Sequence, residues 1–419
     1  METIQQLTQR LCPNGVPMVK IGDVCKCYAG ATPDTKHSQY WENGTIQWMS
    51  SGEVNKGQVF ATEKKITQLG YDKSSTKMVP INSVVIALAG QGKTRGTVAI
   101  TRTELCTNQS LCAIIPNEQL IPDFLFHYLK GQYQTLRTIS CGDGTRGGLN
   151  LKMINAFEIP MPPIEVQKRI VKVLDEMTAV VNELEAELLT ELEARKKQYD
   201  YYRNKLLTFN EIGGGIKWLT MKELGIFYGG LSGKTKNDFE NGNAKFISYM
   251  NVYSNDAINI DVTDKVLIGD NEKQNKIQYG DIIFTGSSET KDDCAMTSVL
   301  TDKCTEDLYL NSFCFGFRFS DTSLFVPQFS KHLFRSGFMR KELVKTANGV
   351  TRFNVSKKMV AEIKIPLVPK SEQIRISNIL NKMAIAVTDL QDNLQIEIRS
   401  RRQQYEYYRN KLLTFDQAA

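Results

Sequence analysis

The sequence predicts an α+β chain written twice: two mixed α/β domains, each followed by a long helix, with the two helices pairing as an antiparallel coiled coil under a pseudo-twofold internal repeat. Three observations carry this. Residues 198–209 (QYDYYRNKLLTF) return as residues 404–415 (QYEYYRNKLLTF), identical at eleven of twelve positions at an offset of 206. Upstream of each copy runs a strict heptad stripe of apolar residues. The stretches between the copies hold short apolar runs punctuated by Gly, Asn, Asp and Ser, the pattern of strands and hairpins.

The repeat comes first because it sets the domain count. At the same offset Pro163 matches Pro369, Gln167 matches Gln373, Arg169 and Ile170 match Arg375 and Ile376, and the register extends back to Thr145-Arg146 and Thr351-Arg352. A weaker match relates residues 12–36 to 213–236, so each half is a variable region followed by a nearly constant one. The expected segments are a first domain over 1–160, a first helix over 161–210, a second domain over 211–366 and a second helix over 367–419.

In the first helix Ile170, Leu174, Met177, Val181, Leu184 and Leu188 follow a 4-3-4-3-4 spacing; Ile376, Leu380, Met383, Val387, Leu390 and Leu394 repeat it. These are a and d positions of a heptad, and a stripe so narrow needs a partner helix, most simply the other copy. Neither stretch holds Gly or Pro after Pro163 or Pro369, residues suited to a first helical turn. A helix of roughly 40 residues is about 60 Å long. Within the variable regions SVVIALAG (83–90), GTVAIT (96–101), GDIIFTG (280–286) and FCFGFRF (313–319) read as strands, and 123–132 and 328–337 as short helices. His127 and His332 sit at equivalent points of those helices and read as packing residues rather than ligands.

Composition narrows the function. Of 419 residues 52 are Lys or Arg and 46 Asp or Glu, a formal charge of +6, which permits nucleic-acid binding without predicting it. Three histidines starve histidine-based catalysis, and the nine cysteines include no CxxC pair, so reduced thiols without a metal are expected. No apolar run approaches the ~20 residues needed to span a bilayer, and no secretory signal is read at the start, so a cytoplasmic protein without membrane association is expected.

One catalytic-looking motif fails on context. Residues 87–94 (ALAGQGKT) fit a loose phosphate-loop pattern, but a phosphate loop needs a helix starting at its Lys-Thr, and strand-like residues 96–101 follow instead. A polar hairpin tip carrying a basic group is expected there. No serine-hydrolase, metalloprotease or dinucleotide signature occurs. What remains is polar and basic loop chemistry recurring in both halves. The first half offers Thr32, Thr35, Lys36, Gln47, Ser50, Ser51, Gln91, Lys93, Thr94, Arg95, Thr145 and Arg146. The second offers Lys234, Thr235, Lys236, Tyr249, Asn251, Ser287, Ser288, Thr351, Arg352 and Asn354. Hydroxyls and Lys suit phosphate oxygens, whereas Gln, Asn and Arg can pair with base edges.

Two divergent regions alternating with two constant heptad helices resembles the specificity subunit of type I restriction-modification enzymes. Local signatures agree: Gly30-Ala31-Thr32-Pro33 with Tyr40-Trp41 and Ile46-Gln47-Trp48, its counterpart at 229–235, Ile159-Pro160-Met161-Pro162-Pro163 before Gln167, and Ile365-Pro366-Leu367-Val368-Pro369 before Gln373. The first copy departs in having Val166 where the second has Glu372. The resemblance implies that each variable region is a target recognition domain reading one half of a bipartite, asymmetric site in double-stranded DNA. It implies that the helices act as a ruler and dock two adenine-N6 methyltransferase subunits, and it leaves room for restriction/translocase subunits. It also implies no catalysis and no cofactor in this chain, S-adenosylmethionine belonging to the methyltransferase. The repeated QY-YYRNKLLTF end either caps the coil against a domain or forms part of the docking surface. The competing reading is a coiled-coil scaffold whose variable domains bind protein or glycan.

Overall fold

The computed structural model describes residues 2–90, 94–141, 147–209 and 215–418. The chain divides into two compact units, Met1–Glu187 with Gln395–Ala419, and Leu188–Leu394. Each unit therefore contains one variable region, the start of its own long helix and the end of the other.

The long helices run Ile164–Leu206 and Lys370–Leu412, each 43 residues. Each begins one residue after the repeated proline, whose carbonyl accepts from Gln167 N at 3.1 Å or Gln373 N at 3.0 Å.

In unit 1 a five-stranded sheet runs in the order Cys25–Ala29, Leu111–Pro116, Val84–Ala87, Val98–Thr101, Gln58–Val59. All its pairings are antiparallel except the last. The side-chain period of two sorts residues between two cores. Val84, Ile86, Ile100 and Ile114 face one, with Phe124, Leu125 and Leu129 of the helix Pro122–Gly131; Val85, Ala87, Ala99 and Ala113 face the other, with Met49, Val54 and Val79. Unit 2 repeats the plan with the order Gly225–Gly229, Cys314–Phe319, Ile282–Thr285, Thr297–Val299. Here Ile282, Phe284, Phe315, Phe317 and Phe319 face the helix Pro327–Phe334, while Ile283 and Cys314 face the opposite core. The strand-like runs and both short helices expected from the sequence are thus present.

The heptad stripe splits between two jobs. Ile170 and Leu174 are fully buried in the domain core of unit 1, and Ile376 and Leu380 in that of unit 2. Each contributes about 1.5–3 kcal/mol of burial there. Met177, Val181, Leu184 and Leu188, like Met383, Val387 and Leu390, are half-buried, whereas Leu394 is buried. The helices pack antiparallel within each unit. In unit 1 Asp175 lies close to Tyr405 through His127, and further along Glu185 pairs with Arg402 at 2.7 and 2.8 Å.

A repeated clamp locks each long helix to its own domain. Gln167 is fully buried; its Oε1 accepts from Ile121 N at 2.8 Å, and its Nε2 donates to Gln119 O at 3.0 Å and Pro162 O at 2.8 Å. Gln373 does the same with Val326 N, Leu324 O and Val368 O, each at 2.8 Å.

The two histidines, expected as packing residues, are buried and hydrogen-bonded on both ring nitrogens. His127 Nε2 donates to Asp175 Oδ1 at 2.9 Å and Nδ1 lies 3.2 Å from Tyr405 Oη; His332 Nε2 donates to Asn381 Oδ1 at 2.8 Å and Nδ1 lies 3.0 Å from Tyr199 Oη. Each ties a domain helix to both long helices. The repeated tail consequently has two faces. Tyr405 and Leu413 are buried, as is Leu207, with Tyr199 half-buried, whereas Tyr201, Tyr202, Tyr407 and Tyr408 are exposed.

Candidate nucleic-acid interface

The described candidates of unit 1 fall into three environments. Thr35 and Lys36 are exposed on a turn where Asp34 Oδ1 accepts from Lys36 N at 2.9 Å. Half-buried Thr32 hydrogen-bonds Gln109, and the Trp41 and Trp48 rings meet edge to face at 5.0 Å nearby in sequence. Gln47 and Ser50 brace the fold. Gln47 Oε1 accepts from Thr62 N and Oγ1, at 2.8 and 2.6 Å, and Ser50 closes a capping box with Glu53 at the start of the short 3₁₀ helix Ser51–Lys56. Arg95 lies inside, its guanidinium donating to Gly147 O, and Thr94 sits in the turn before the strand Val98–Thr101. A strand, not a helix, follows residues 87–94, as the rejection of a phosphate loop requires. Gln91, Lys93, Thr145 and Arg146 lie outside the described residues.

In unit 2 the candidates partly converge. Tyr249, Ser287, Ser288, Thr351 and Arg352 line one cleft of about 700 Å³. The helix Tyr249–Ser254 supplies Tyr249, capped by Ser248, whose hydroxyl accepts from Asn251 N. The strand Ser287–Ser288 pairs with Phe353–Val355, so the Thr351-Arg352 turn meets it. Tyr249 Oη donates to Ser287 O at 2.8 Å, and burial pushes its phenol up. Arg352 Nη2 donates to Ser287 Oγ at 3.0 Å and its guanidinium lies 5.8 Å from the Phe313 ring centroid.

The sequence reading missed Met250, Tyr253, Thr290, Asp293 and Phe313 of this cleft. Tyr253 was legible as the i+4 neighbour of Tyr249 on a helix; the two rings stack 15° from parallel at 6.1 Å. Phe313 hid at the head of a strand-like run, yet is 57% exposed. Asp293 is already engaged, accepting from Tyr253 Oη at 3.0 Å and Thr290 Oγ1 at 2.5 Å. The result is a wall of aromatic faces with one guanidinium and several hydroxyls, able to meet apolar and acceptor groups of a base edge.

The remaining candidates of unit 2 are elsewhere. Lys234 is nearly buried in an ion pair with Glu272, whose carboxyl is pulled down to about 2 by the Lys234 hydrogen bond. Thr235 caps Lys236–Phe239 with Asp238, and Lys236 is exposed. Asn251 braces a loop through Asn259 O at 2.8 Å, and Asn354 is exposed on its strand. Among the described residues no group of three or more His, Cys, Asp or Glu could hold a metal, and no helix is long and apolar enough to cross a membrane. The described cysteine side chains are all free thiols.

Two compact α/β units, each holding the ends of two antiparallel helices, define a duplicated recognition module. The profile of the family described as type I restriction modification DNA specificity domain matches residues 13–194 and again 214–400. The chain belongs to that family, in two copies. It is 32% identical over 191 residues to the EcoR124I/EcoR124II type I restriction enzyme specificity subunit of Escherichia coli, covering 45% of this chain and 47% of that one, so this match spans about half that relative's length. It is 26% identical over 314 residues to a putative type I restriction enzyme specificity subunit of Haemophilus influenzae, covering 74% of this chain and 76% of the relative. In fold it is similar to a chain from a structural study of complex assembly and conformational transition of the type I R-M system, with TM-score 0.71 at 19% identity, covering 96% and 98% of the two chains. It is also similar to the HsdS subunit from Thermoanaerobacter tengcongensis, with TM-score 0.55 at 18% identity, covering 96% and 97%.

Proposed function

We propose that this chain is the non-catalytic, sequence-reading subunit of a type I restriction-modification complex. Each unit reads one half of a split, asymmetric duplex site, and the paired helices set the half-site separation and dock adenine-N6 methyltransferase subunits. S-adenosylmethionine is held by those partners, not here. The observation that carries the reading is the family match in two copies on domains whose variable parts have diverged while their helices have not. Divergence of the readers beside constancy of the frame is what two different half-sites on one assembly platform require. The exposed Tyr201-Tyr202 and Tyr407-Tyr408 pairs, with exposed Val180, Leu189, Ile385 and Ile396, support protein docking on the helices.

The test is to map methylated adenines in the host genome with and without this chain; one split motif disappears in its absence. Binding by the assembled complex that ignores both salt and sequence would sink the reading. Within it, Arg352→Ala should relax preference at one base position by about 1–3 kcal/mol, read by competition between duplexes differing at that position.

A further inference from the structure

Unit 1 contains a polar cavity of about 760 Å³ where the first domain meets the ends of the helix pair, lined among others by Lys56, Lys130, Glu185, Arg402, Tyr405 and Arg409. Of the four cations among its described lining residues two are spoken for: Arg402 grips Glu185 through Nε and Nη2, and Lys56 binds Glu53 at 2.8 Å. The other two are not. Arg409 is only 6% exposed, yet its hydrogen bonds go to the neutral amide of Asn410, at 3.1 and 3.2 Å. Among the described residues Lys130 meets the faces of Tyr405 and Phe126, at 5.4 and 5.7 Å, and no ion-pair partner. Arg409 also lies over the Tyr405 ring, at 5.8 Å, so one aromatic face gathers both cations. Among the described residues no carboxylate lies within ion-pair distance of either. Glu406 lies in the same lining and offsets part of the charge without pairing.

The equivalent cations of unit 2 meet protein acceptors, although Arg203 Nε is buried without a hydrogen-bond partner among the described residues. Arg203, the repeat of Arg409, pairs with Asp200 at 2.8 Å. Arg335, the counterpart of Lys130, donates to the carbonyls of Thr297, Val252, Tyr253 and Asn255 at 2.6–3.0 Å. A buried guanidinium without a counter-charge is costly, so its retention beside an open polar cavity calls for an anion supplied from outside.

We propose that this cavity is a phosphate-binding site, in which the Arg409 fork and the Lys130 ammonium hold a phosphoryl group and the Tyr405 ring and the Asn182 and Asn410 amides line the rest. An oxyanion with three acceptor oxygens suits a fork plus a point charge. The volume exceeds what a lone carboxylate side chain needs and falls within the range of small-ligand pockets. The phosphoryl group comes either from a free nucleotide or from a DNA backbone, and the experiment separates the two.

The full chain is titrated calorimetrically with inorganic phosphate and with ATP, and with a duplex lacking the split site. Lys130→Gln, at an exposed position that leaves the core intact, should weaken phosphate and ATP at least about tenfold, while Lys130→Arg stays within about threefold. ATP that binds in the presence of saturating duplex identifies a nucleotide site. ATP displaced by duplex, together with a salt slope lowered by about 1 in Lys130→Gln, identifies a backbone phosphate. No phosphate or ATP binding by the unaltered chain, with an unchanged duplex salt slope in Lys130→Gln, overturns the proposal. So does a Lys130→Gln variant that loses only methyltransferase assembly, which would mean a protein carboxylate. Sequence-specific DNA recognition that survives either negative result leaves the proposed function standing.

Discussion

The two units use one hinge of hydrogen bonds with different charges in it. Unit 1 sets His127 between Asp175 and Tyr405; unit 2 sets His332 between Asn381 and Tyr199. The geometry needs only an oxygen that accepts from Nε2, and Asp and Asn supply that equally. Charge was free to diverge where hydrogen-bond topology was not. The same holds for the cations beside each hinge: Arg203 pairs with Asp200 and Arg335 with four carbonyls in unit 2, whereas among the described residues Arg409 and Lys130 of unit 1 meet no carboxylate. A duplicated frame thus keeps its orienting bonds and varies its electrostatics.

The largest expected break of this symmetry is at Arg335. Arg335→Ala removes a cation shared by four carbonyls and should destabilise unit 2 by about 3–5 kcal/mol, whereas Lys130→Ala should change unit 1 by no more than about 0.5 kcal/mol. Native-state hydrogen exchange on each sheet reads the two separately, and equal costs would erase the distinction. Next are the glutamine clamps, where no asymmetry is expected. Gln167→Ala and Gln373→Ala each orphan a buried N–H and two carbonyls and should cost about 2–3 kcal/mol in their own units, equal within about 0.5.

The histidines give a smaller, pH-dependent contrast. Burial, aided by the Lys331 charge, pushes His332 down to about 4. The unfolded chain therefore takes up a proton near pH 6.5 that the folded unit resists. Stability contributed by neutral His332 is complete above about pH 6.5 and is lost as pH falls toward 4, at up to about 1.4 kcal/mol per pH unit. Asn381→Asp should flatten that slope, because a carboxylate favours the charged ring; an unchanged slope in unit 2 exchange data would count against His332 as its source. The smallest effect expected is at Asp175, whose side chain is half exposed: Asp175→Asn should cost unit 1 under about 1 kcal/mol by thermal melting, because an amide oxygen still accepts from His127.

The site was less legible than the frame. Ser50, Thr235, Gln47 and Asn251 have the composition of a contact loop, but they spend their polar groups on caps and on braces to neighbouring backbone. Residue type is the same whether such a side chain closes a turn or faces a ligand, because short polar side chains do both. Lys234 and Arg95 likewise turned inward to Glu272 and Gly147. The cleft formed by Tyr249, Ser287 and Arg352 draws on three segments spread over about a hundred residues, a proximity no local pattern records.

The repeat offset, the heptad spacing and the alternating strands are periodic in the chain itself, so the sequence alone determined the duplication, the two long helices and the α+β class. Periodicity names the face a residue shares but not what covers it. Only the tertiary structure decided that Ile170 and Leu174 of the stripe belong to a domain core, and that Tyr405 lends one ring to Lys130 and Arg409. Only it showed that Arg203 meets a carboxylate while its repeat Arg409, among the described residues, does not. Those outcomes depend on which distant groups arrive within a few ångströms, where desolvation and pairing energies are set.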